Sequence, residues 1–274
     1  MTSSVSRREA LAALGASAGV VLVSAQAPAD ESPVRTPLPG AAVCILSPQL
    51  DEGPFYLDEK LVRSDIREDR DGVPLRLILQ VIEGSNCGPI AKARVDIWHC
   101  DAVGRYSGVD HQGDDQSEST AKATFLRGTQ LTDAFGVVTF DTIYPGWYPG
   151  RTTHIHFKII LDGRNVLTCQ TFMPDALNEF LYLNAGPYQG RARPRDTVNS
   201  SDFIANNGEP DHATFCSIKE ETGRYVASLV VGVDRTAVAF EGPKGMPPGA
   251  PPPPFGRGLE GAPVRPRGSL IPGI

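Results

Sequence analysis

His154 and His156 indicate metal binding more clearly than any other side chains in this sequence, because a single residue separates them. Side chains alternate between the two faces of a β-strand, so both imidazoles would point the same way. An apolar face of Ile155, Phe157 and Ile159 would lie opposite them. The Cα atoms of the two histidines would be roughly 7 Å apart, close enough for both rings to bind one ion. The alternative is a pair of histidines on a solvated strand face.

The loop before this pair, residues 144–151, is rich in turn-forming residues and places Tyr148 and Arg151 beside the histidines. A histidine-rich copper or zinc site is hard to assemble, because the other three histidines are scattered: His99, His111 and His212. The cupin pattern also fails, since Ile160 and Leu161 stand where that pattern has a glutamate. The remaining ligands are therefore expected to be oxygen or sulfur donors. Tyrosinate, a hard anionic oxygen ligand, would suit a trivalent ion such as Fe(III).

The elements that must position these residues are predicted to be short strands. Runs rich in β-branched and aromatic residues recur between turn signals, which predicts an all-β sandwich with long loops and few short helices. The predicted strands are residues 75–82, 93–98, 137–143, 154–161, 166–172 and 225–233. A short helix is expected near residues 176–183, inside the longest loop, residues 175–211.

Four stretches of the chain resemble the intradiol ring-cleavage dioxygenase family, whose members include catechol, hydroxyquinol and protocatechuate dioxygenases. The resemblance covers roughly residues 44–233. The stretches are DEGPFY at residues 51–56, VDIWHCDAVGRYS at 95–107, YPGWYPGRTTHIHF at 144–157 and LTCQ at 167–170. Together they imply a β-sandwich of the intradiol dioxygenase type.

The resemblance also implies a cofactor and a reaction. The cofactor is one non-haem Fe(III) per chain, and the implied reaction is intradiol cleavage of a catechol-type ring by O2 to a cis,cis-muconate-type product. The ligands would be Tyr106, Tyr148, His154 and His156. The partners would be a small aromatic diol and O2. No oligomeric state follows from the sequence.

Further roles follow from positions that match the family's motifs. Tyr148 would leave the metal when the substrate binds and act as a base. Arg151 would stabilise negative charge that develops on the ring, and Gln170 would help to orient the substrate. Phe55 and Asp101 are expected to line the substrate pocket, because their segments approach the iron in the family.

Two other functions remain open at this point. The first is a different mononuclear metalloenzyme that uses His154 and His156 with other ligands. The second is a non-catalytic, secreted, transthyretin-like binding module, which would need neither Tyr148 nor the histidine pair. The sequence departs from the family at residues 151–154, where Arg-Thr-Thr-His replaces the usual Arg-Pro-x-His. This departure leaves the identity of the cleaved ring open.

The two ends of the chain are expected to lie outside the catalytic domain, predicted as residues 28–241. Residues 1–27 resemble a signal peptide, since paired arginines precede an apolar run too short to span a bilayer. The arginine pair favours the twin-arginine route and hence a periplasmic or secreted protein without stable membrane insertion. Residues 242–274 are rich in proline and glycine and are predicted to be a disordered tail.

The charge of the chain narrows the classes of molecule that it could bind. The net charge is −6 and no run of basic residues occurs, so nucleic acid is not an expected partner.

The sequence contains five cysteines: Cys44, Cys87, Cys100, Cys169 and Cys216. Because five is an odd number, at least one of them has no disulfide partner within the chain. Their spacing does not determine the pairing. Cys87 and Cys100, however, would lie at opposite ends of the strand predicted over residues 93–98, too far apart for a bridge.

Overall fold

The computed structural model describes residues 45–207 and 213–239, and β-strands make up most of their regular structure. The strands are β1 (Pro74–Glu83), β2 (Arg94–Trp98), β3 (Arg127–Leu131), β4 (Val137–Ile143), β5 (His154–Leu161), β6 (Arg164–Phe172), β7 (Ser217–Glu221) and β8 (Arg224–Val233). The helices are α1 (Asp175–Asn184), a 3₁₀ turn (Gly186–Tyr188) and α2 (Phe203–Asn207). The predicted all-β sandwich with few short helices is therefore confirmed.

The strands form two four-stranded sheets, in the orders β4-β1-β8-β7 and β3-β2-β5-β6. Strand β5 lies inside the second sheet and pairs antiparallel with β2 and with β6. Apolar side chains from both sheets meet in one core, among them Leu77 and Phe140 from the first sheet and Phe157 from the second. Burial of each such side chain stabilises the fold by roughly 1.5–3 kcal/mol.

Strand β5 shows the alternation that its sequence predicts. Ile155, Phe157 and Ile159 are buried in the core between the sheets. His154 and His156 lie on the other face of β5 and are buried as well, at 2% and 1% exposure. Both imidazoles are therefore held on one side of the sheet and away from solvent, where they can share one ion.

Helix α1 packs on the core near the end of β6. Its inner face buries Asn178 and Leu181, and Asp175 lies in its first turn, where a negative charge is favoured. Pro187 follows shortly after the helix and cannot continue it, because proline lacks the N–H that the helix needs. The helix predicted over residues 176–183 is thus observed.

Several predictions concern residues outside the described part of the chain. They include the signal peptide over residues 1–27 and the tail over residues 242–274, and Cys44 and His212 lie outside it too. Of the other cysteines, Cys87 is disulfide-bonded, and three are buried thiols: Cys100, Cys169 and Cys216. The prediction that Cys87 and Cys100 do not pair is confirmed. Among the described residues, no helix combines the length and the apolar character needed to cross a bilayer.

Candidate metal centre

Four side chains converge on one point beside β5. The Nε2 atom of His154 lies 3.1 Å from Nε2 of His156 and 3.2 Å from the hydroxyl oxygens of both Tyr106 and Tyr148. In the described residues, no group of three or more histidine, cysteine, aspartate and glutamate side chains could hold a metal ion. The oxygen atoms that the described residues place beside these imidazoles are the hydroxyls of Tyr106 and Tyr148.

The distances within this group fit ligands that share one ion. Ligand atoms about 2.0–2.1 Å from a common metal lie roughly 2.8–3.4 Å from one another. The Nδ1 atom of His154 lies 2.7 Å from the carbonyl oxygen of Thr152, to which it can donate, and this leaves a lone pair on Nε2. Three polar atoms face that lone pair at close range. A cation between them would be within reach of all four side chains, so the residues present fit a metal ion.

The buried environment sets the charge state of the four groups. Burial, reinforced by the positive charge of Arg151, lowers the pKa of His154 below its ordinary value. Burial and the neighbouring His154 also lower the pKa of His156 well below its ordinary value, so both imidazoles are neutral and can bind a metal. Burial raises the pKa of Tyr148 to about 12 and the pKa of Tyr106 well above 10.0. A bound cation would stabilise their phenolates, and a highly charged one would do so most strongly.

The loops that carry the two tyrosines pack backbone against backbone. A Cβ atom on Gly104 would lie 2.2 Å from the carbonyl oxygen of Trp147, and the backbone of Gly104 adopts a φ of +89°. A Cβ atom on Gly146 would lie 2.4 Å from the carbonyl oxygen of Ala102. The backbone N–H of Gly146 donates to the carbonyl oxygen of Asp101 at 3.1 Å. This close approach, which only glycine permits, sets Tyr106 and Tyr148 beside each other.

Replacing Gly146 with alanine is therefore expected to destabilise the protein by about 1–3 kcal/mol and to weaken iron binding, because the two loops must move apart. Chemical denaturation and the iron content of the purified variant measure the two effects. Gly186→Ala is the matched control, since a Cβ atom there would meet nothing within 4 Å. Equal stability and equal iron content in the two variants would refute the role of this loop contact.

A buried arginine fixes the segment behind Tyr106. Arg127 donates from Nη1 to the carbonyl oxygen of Phe55 at 2.6 Å and from Nη2 to that of Ser107, also at 2.6 Å. Its Nε donates to the Ser107 hydroxyl at 2.9 Å. The ring of Phe55 stacks on that of Tyr106 with centroids 4.4 Å apart and meets Tyr148 edge-on at 6.3 Å. Phe55, predicted to line the pocket, is thus in contact with two of the four groups.

Arg151 lies next to the centre and takes part in a network of buried groups. Its Nη2 donates to Oε1 of Gln170 at 2.5 Å, and its Nη1 lies 3.5 Å from the hydroxyl of Tyr148. The amide of Gln170 donates in turn to the carbonyl oxygen of Asp51 at 2.7 Å. The structure brings Gln170 here because β6 pairs it directly with His156 on β5.

Two residues at the centre were not predicted to act there. Trp98 is the β2 partner of His156 and stacks on its ring with centroids 4.9 Å apart. Asp202 accepts a hydrogen bond from Nε of Arg151 at 2.8 Å, although 51 residues separate the two. The register of β2 against β5 would have identified Trp98. No sequence motif marks Asp202.

Asp101, also predicted to line the pocket, is engaged elsewhere. Its carboxylate accepts hydrogen bonds from the backbone N–H groups of Val103 at 3.0 Å and Arg105 at 2.9 Å. Its own carbonyl oxygen accepts from Gly104 and Gly146. These contacts favour a role in shaping the loop that carries Tyr106 over contact with a substrate.

Comparison with known proteins gives consistent results. The family model described as "Dioxygenase" matches residues 45–180. Catechol 1,2-dioxygenase 1 from Acinetobacter lwoffii is 30% identical over 148 residues, which cover 45% of each chain. The beta chain of protocatechuate 3,4-dioxygenase from Burkholderia cepacia is 33% identical over 142 residues, 46% of this chain and 56% of that one. The chain thus spans about half the length of the curated relatives it matches.

A solved structure is similar over a larger share of both chains. The intradiol ring-cleavage dioxygenase from Tetranychus urticae superposes with a TM-score of 0.64 at 31% identity, covering 71% of this chain and 97% of that one. The fold and the centre described above define a β-sandwich protein with a two-histidine, two-tyrosine site. With this likeness, the chain belongs to the intradiol ring-cleavage dioxygenase family.

Proposed function

We propose that the protein binds one Fe(III) through Tyr106, Tyr148, His154 and His156 and uses O2 to cleave a catechol-type ring between its two hydroxyl-bearing carbons. Both oxygen atoms would enter a cis,cis-muconate-type product. The observation that carries this proposal is the convergence of three polar atoms within 3.2 Å of Nε2 of His154. Neutral imidazole and phenolate donors suit ferric iron, and the family supports the reaction.

The side chains around the centre would divide the chemistry between them. Bound ferric iron would supply Lewis acidity and hold both reactants close to each other. Tyr148 is only half-buried whereas Tyr106 is fully buried, so Tyr148 is the better placed to accept a proton from a diol hydroxyl. Arg151, whose Nη1 lies beside the Tyr148 hydroxyl, would stabilise negative charge on the ring by donating a hydrogen bond from Nη1. Phe55, which stacks on Tyr106, and Trp98, which stacks on His156, would exclude water from two sides of the centre.

We expect the purified protein to contain about one iron per chain and to be red-brown, because tyrosinate bound to Fe(III) absorbs visible light. Iron analysis and an absorption spectrum provide the measurement, followed by spectra with catechol, hydroxyquinol and protocatechuate in air. Tyr106→Phe should shift or weaken the visible band. Tyr144→Phe, which alters a buried tyrosine bonded to Asn178 outside the centre, should leave the band unchanged. A colourless protein that stays inactive after reconstitution with ferric iron would disprove the proposal.

We also infer that the protein acts outside the cytoplasm, as the signal-like sequence of residues 1–27 suggests. The disulfide bond of Cys87 supports this proposal, because disulfides persist in oxidising compartments and are rare in the cytosol. Expression with and without residues 1–27, followed by fractionation of the cells, tests it.

A further inference from the structure

The guanidinium group of Arg151 is held by two buried protein partners. Its Nε donates to Asp202 at 2.8 Å and its Nη2 donates to Gln170 at 2.5 Å. Only Nη1, 3.5 Å from the hydroxyl of Tyr148, faces the centre with a weak contact. The side chain of Arg151 is 4% exposed and that of Asp202 is fully buried, so no water competes for the ion pair.

The carboxylate of Asp202 is itself held on both oxygens. Oδ2 accepts from Arg151 and also from the backbone N–H of Thr152 at 2.7 Å. Oδ1 accepts from the N–H groups of Ile204 at 2.8 Å and Ala205 at 3.0 Å. Burial alone would raise the pKa of Asp202, but the charge of Arg151 and these N–H groups outweigh it and lower the pKa. Asp202 is therefore an anion fixed in one place.

The other cations around the centre are also occupied in the part of the chain that the structure describes. Arg127 gives its donors to Phe55 and Ser107. Lys158 pairs with Glu52, and its ammonium lies 3.7 Å from the centroid of the Tyr56 ring. With Arg151 neutralised by Asp202, the described surroundings of the centre offer no unpaired cation to a carboxylate on the substrate.

We infer that Asp202 is a positioning and specificity residue: it holds Arg151 against the centre and cancels its charge, so that uncharged catechols are preferred over carboxylated rings. This inference rests on the proposed function. The carboxylate fixes the direction of the guanidinium through Nε, which leaves Nη1 turned toward Tyr148. Because the buried pair has no net charge, Arg151 keeps no free positive charge with which to bind the carboxylate of a ring such as protocatechuate, and burial of that carboxylate would not be compensated.

The test compares catechol with protocatechuate in the iron-loaded protein and in Asp202→Asn. We expect Asp202→Asn to keep its iron and its visible band, while kcat for catechol falls about 10- to 100-fold because Arg151 is less well held. The ratio of kcat/KM for protocatechuate to that for catechol should rise at least about tenfold, since the positive charge of Arg151 is then no longer cancelled. Spectral titration under nitrogen, which prevents turnover, should show that the affinity for protocatechuate rises relative to that for catechol by a similar factor.

Asp175→Asn is the matched control, because Asp175 pairs with Arg195 in the same segment of the chain and does not contact Arg151. Its substrate ratio should equal that of the parent protein. Asp202→Glu retains the charge, so kcat should fall while the substrate ratio stays near the parent value. Asp202→Glu therefore still tests the role of Asp202 if Asp202→Asn does not fold.

The outcomes separate this inference from the proposed function. A parent protein that cleaves neither ring would refute the proposed function. A parent protein that is active, with a substrate ratio unchanged in Asp202→Asn, would overturn the role of Asp202 whether or not kcat falls. A ratio in Asp202→Glu that shifts toward protocatechuate would overturn it as well.

Discussion

Replacement of His156 with alanine is expected to lower iron affinity at least about 100-fold and to remove the visible colour and the activity together. Changing a group that only orients a metal ligand costs 10- to 100-fold, so loss of a ligand should cost at least as much. Nε2 of His156 lies 3.1 Å from that of His154, and the ring stacks on Trp98. Alanine would leave a buried gap that neither neighbouring ring can fill. Iron content, absorption and ring cleavage are the three measurements.

His99→Gln is the control for this variant. His99 is also a buried histidine, but its ring nitrogens contact the carbonyl oxygen of Cys100 at 2.8 Å and the hydroxyl of Thr142 at 2.7 Å. Glutamine can keep one of these contacts without touching the metal centre. We expect His99→Gln to retain iron and colour. If His156→Ala bound iron as the parent protein does, His156 would not be a ligand.

The sequence predicted β5 well because the pattern of its residues repeats with the period of a strand. Ile155, Phe157 and Ile159 had to face a core, and the histidines between them had to face the other way. The position of Tyr148 was also predictable, because a loop dense in proline and glycine leads into β5. These inferences need only local sequence.

Two strands were not predicted, and both lie at sheet edges. Strand β3 (Arg127–Leu131) reads RGTQL, and β7 (Ser217–Glu221) reads SIKEE. Each pairs with one named neighbour, and most of its own residues are polar or charged. Such short strands carry little of the apolar pattern by which buried strands are predicted.

The surroundings of the centre were harder to predict because they depend on contacts distant in sequence. Trp98 lies on His156 only through the register of β2 against β5. Asp202 reaches Arg151 from the far end of a segment that folds into α1, a 3₁₀ turn and α2. Asp101 was predicted to line the substrate pocket from its motif alone, and its contacts with the backbone of its own loop could not be read from that motif.

Replacement of Arg151 with alanine is expected to leave the iron and its colour in place and to lower kcat roughly 10²- to 10³-fold, about 3–4 kcal/mol. Arg151 is not a plausible metal ligand, because a guanidinium keeps its positive charge, and its Nη1 lies 3.5 Å from the Tyr148 hydroxyl. The deficit should fall on the chemical step and much less on substrate binding. Steady-state kinetics with catechol, beside an iron assay, provide the measurement.

Stability must be measured on the same variant, because Arg151→Ala leaves the buried carboxylate of Asp202 without its cation. Breaking such a pair costs about 3–5 kcal/mol of stability. The kinetic measurements must therefore be made well below the lowered Tm of the variant. Arg195→Ala is the control, since Arg195 is a buried arginine that pairs with Asp175 and Glu179 away from the centre. It should lose stability but keep the parent kcat. Cleavage of catechol at the parent rate by Arg151→Ala would show that the arginine has no catalytic role, even with the iron bound.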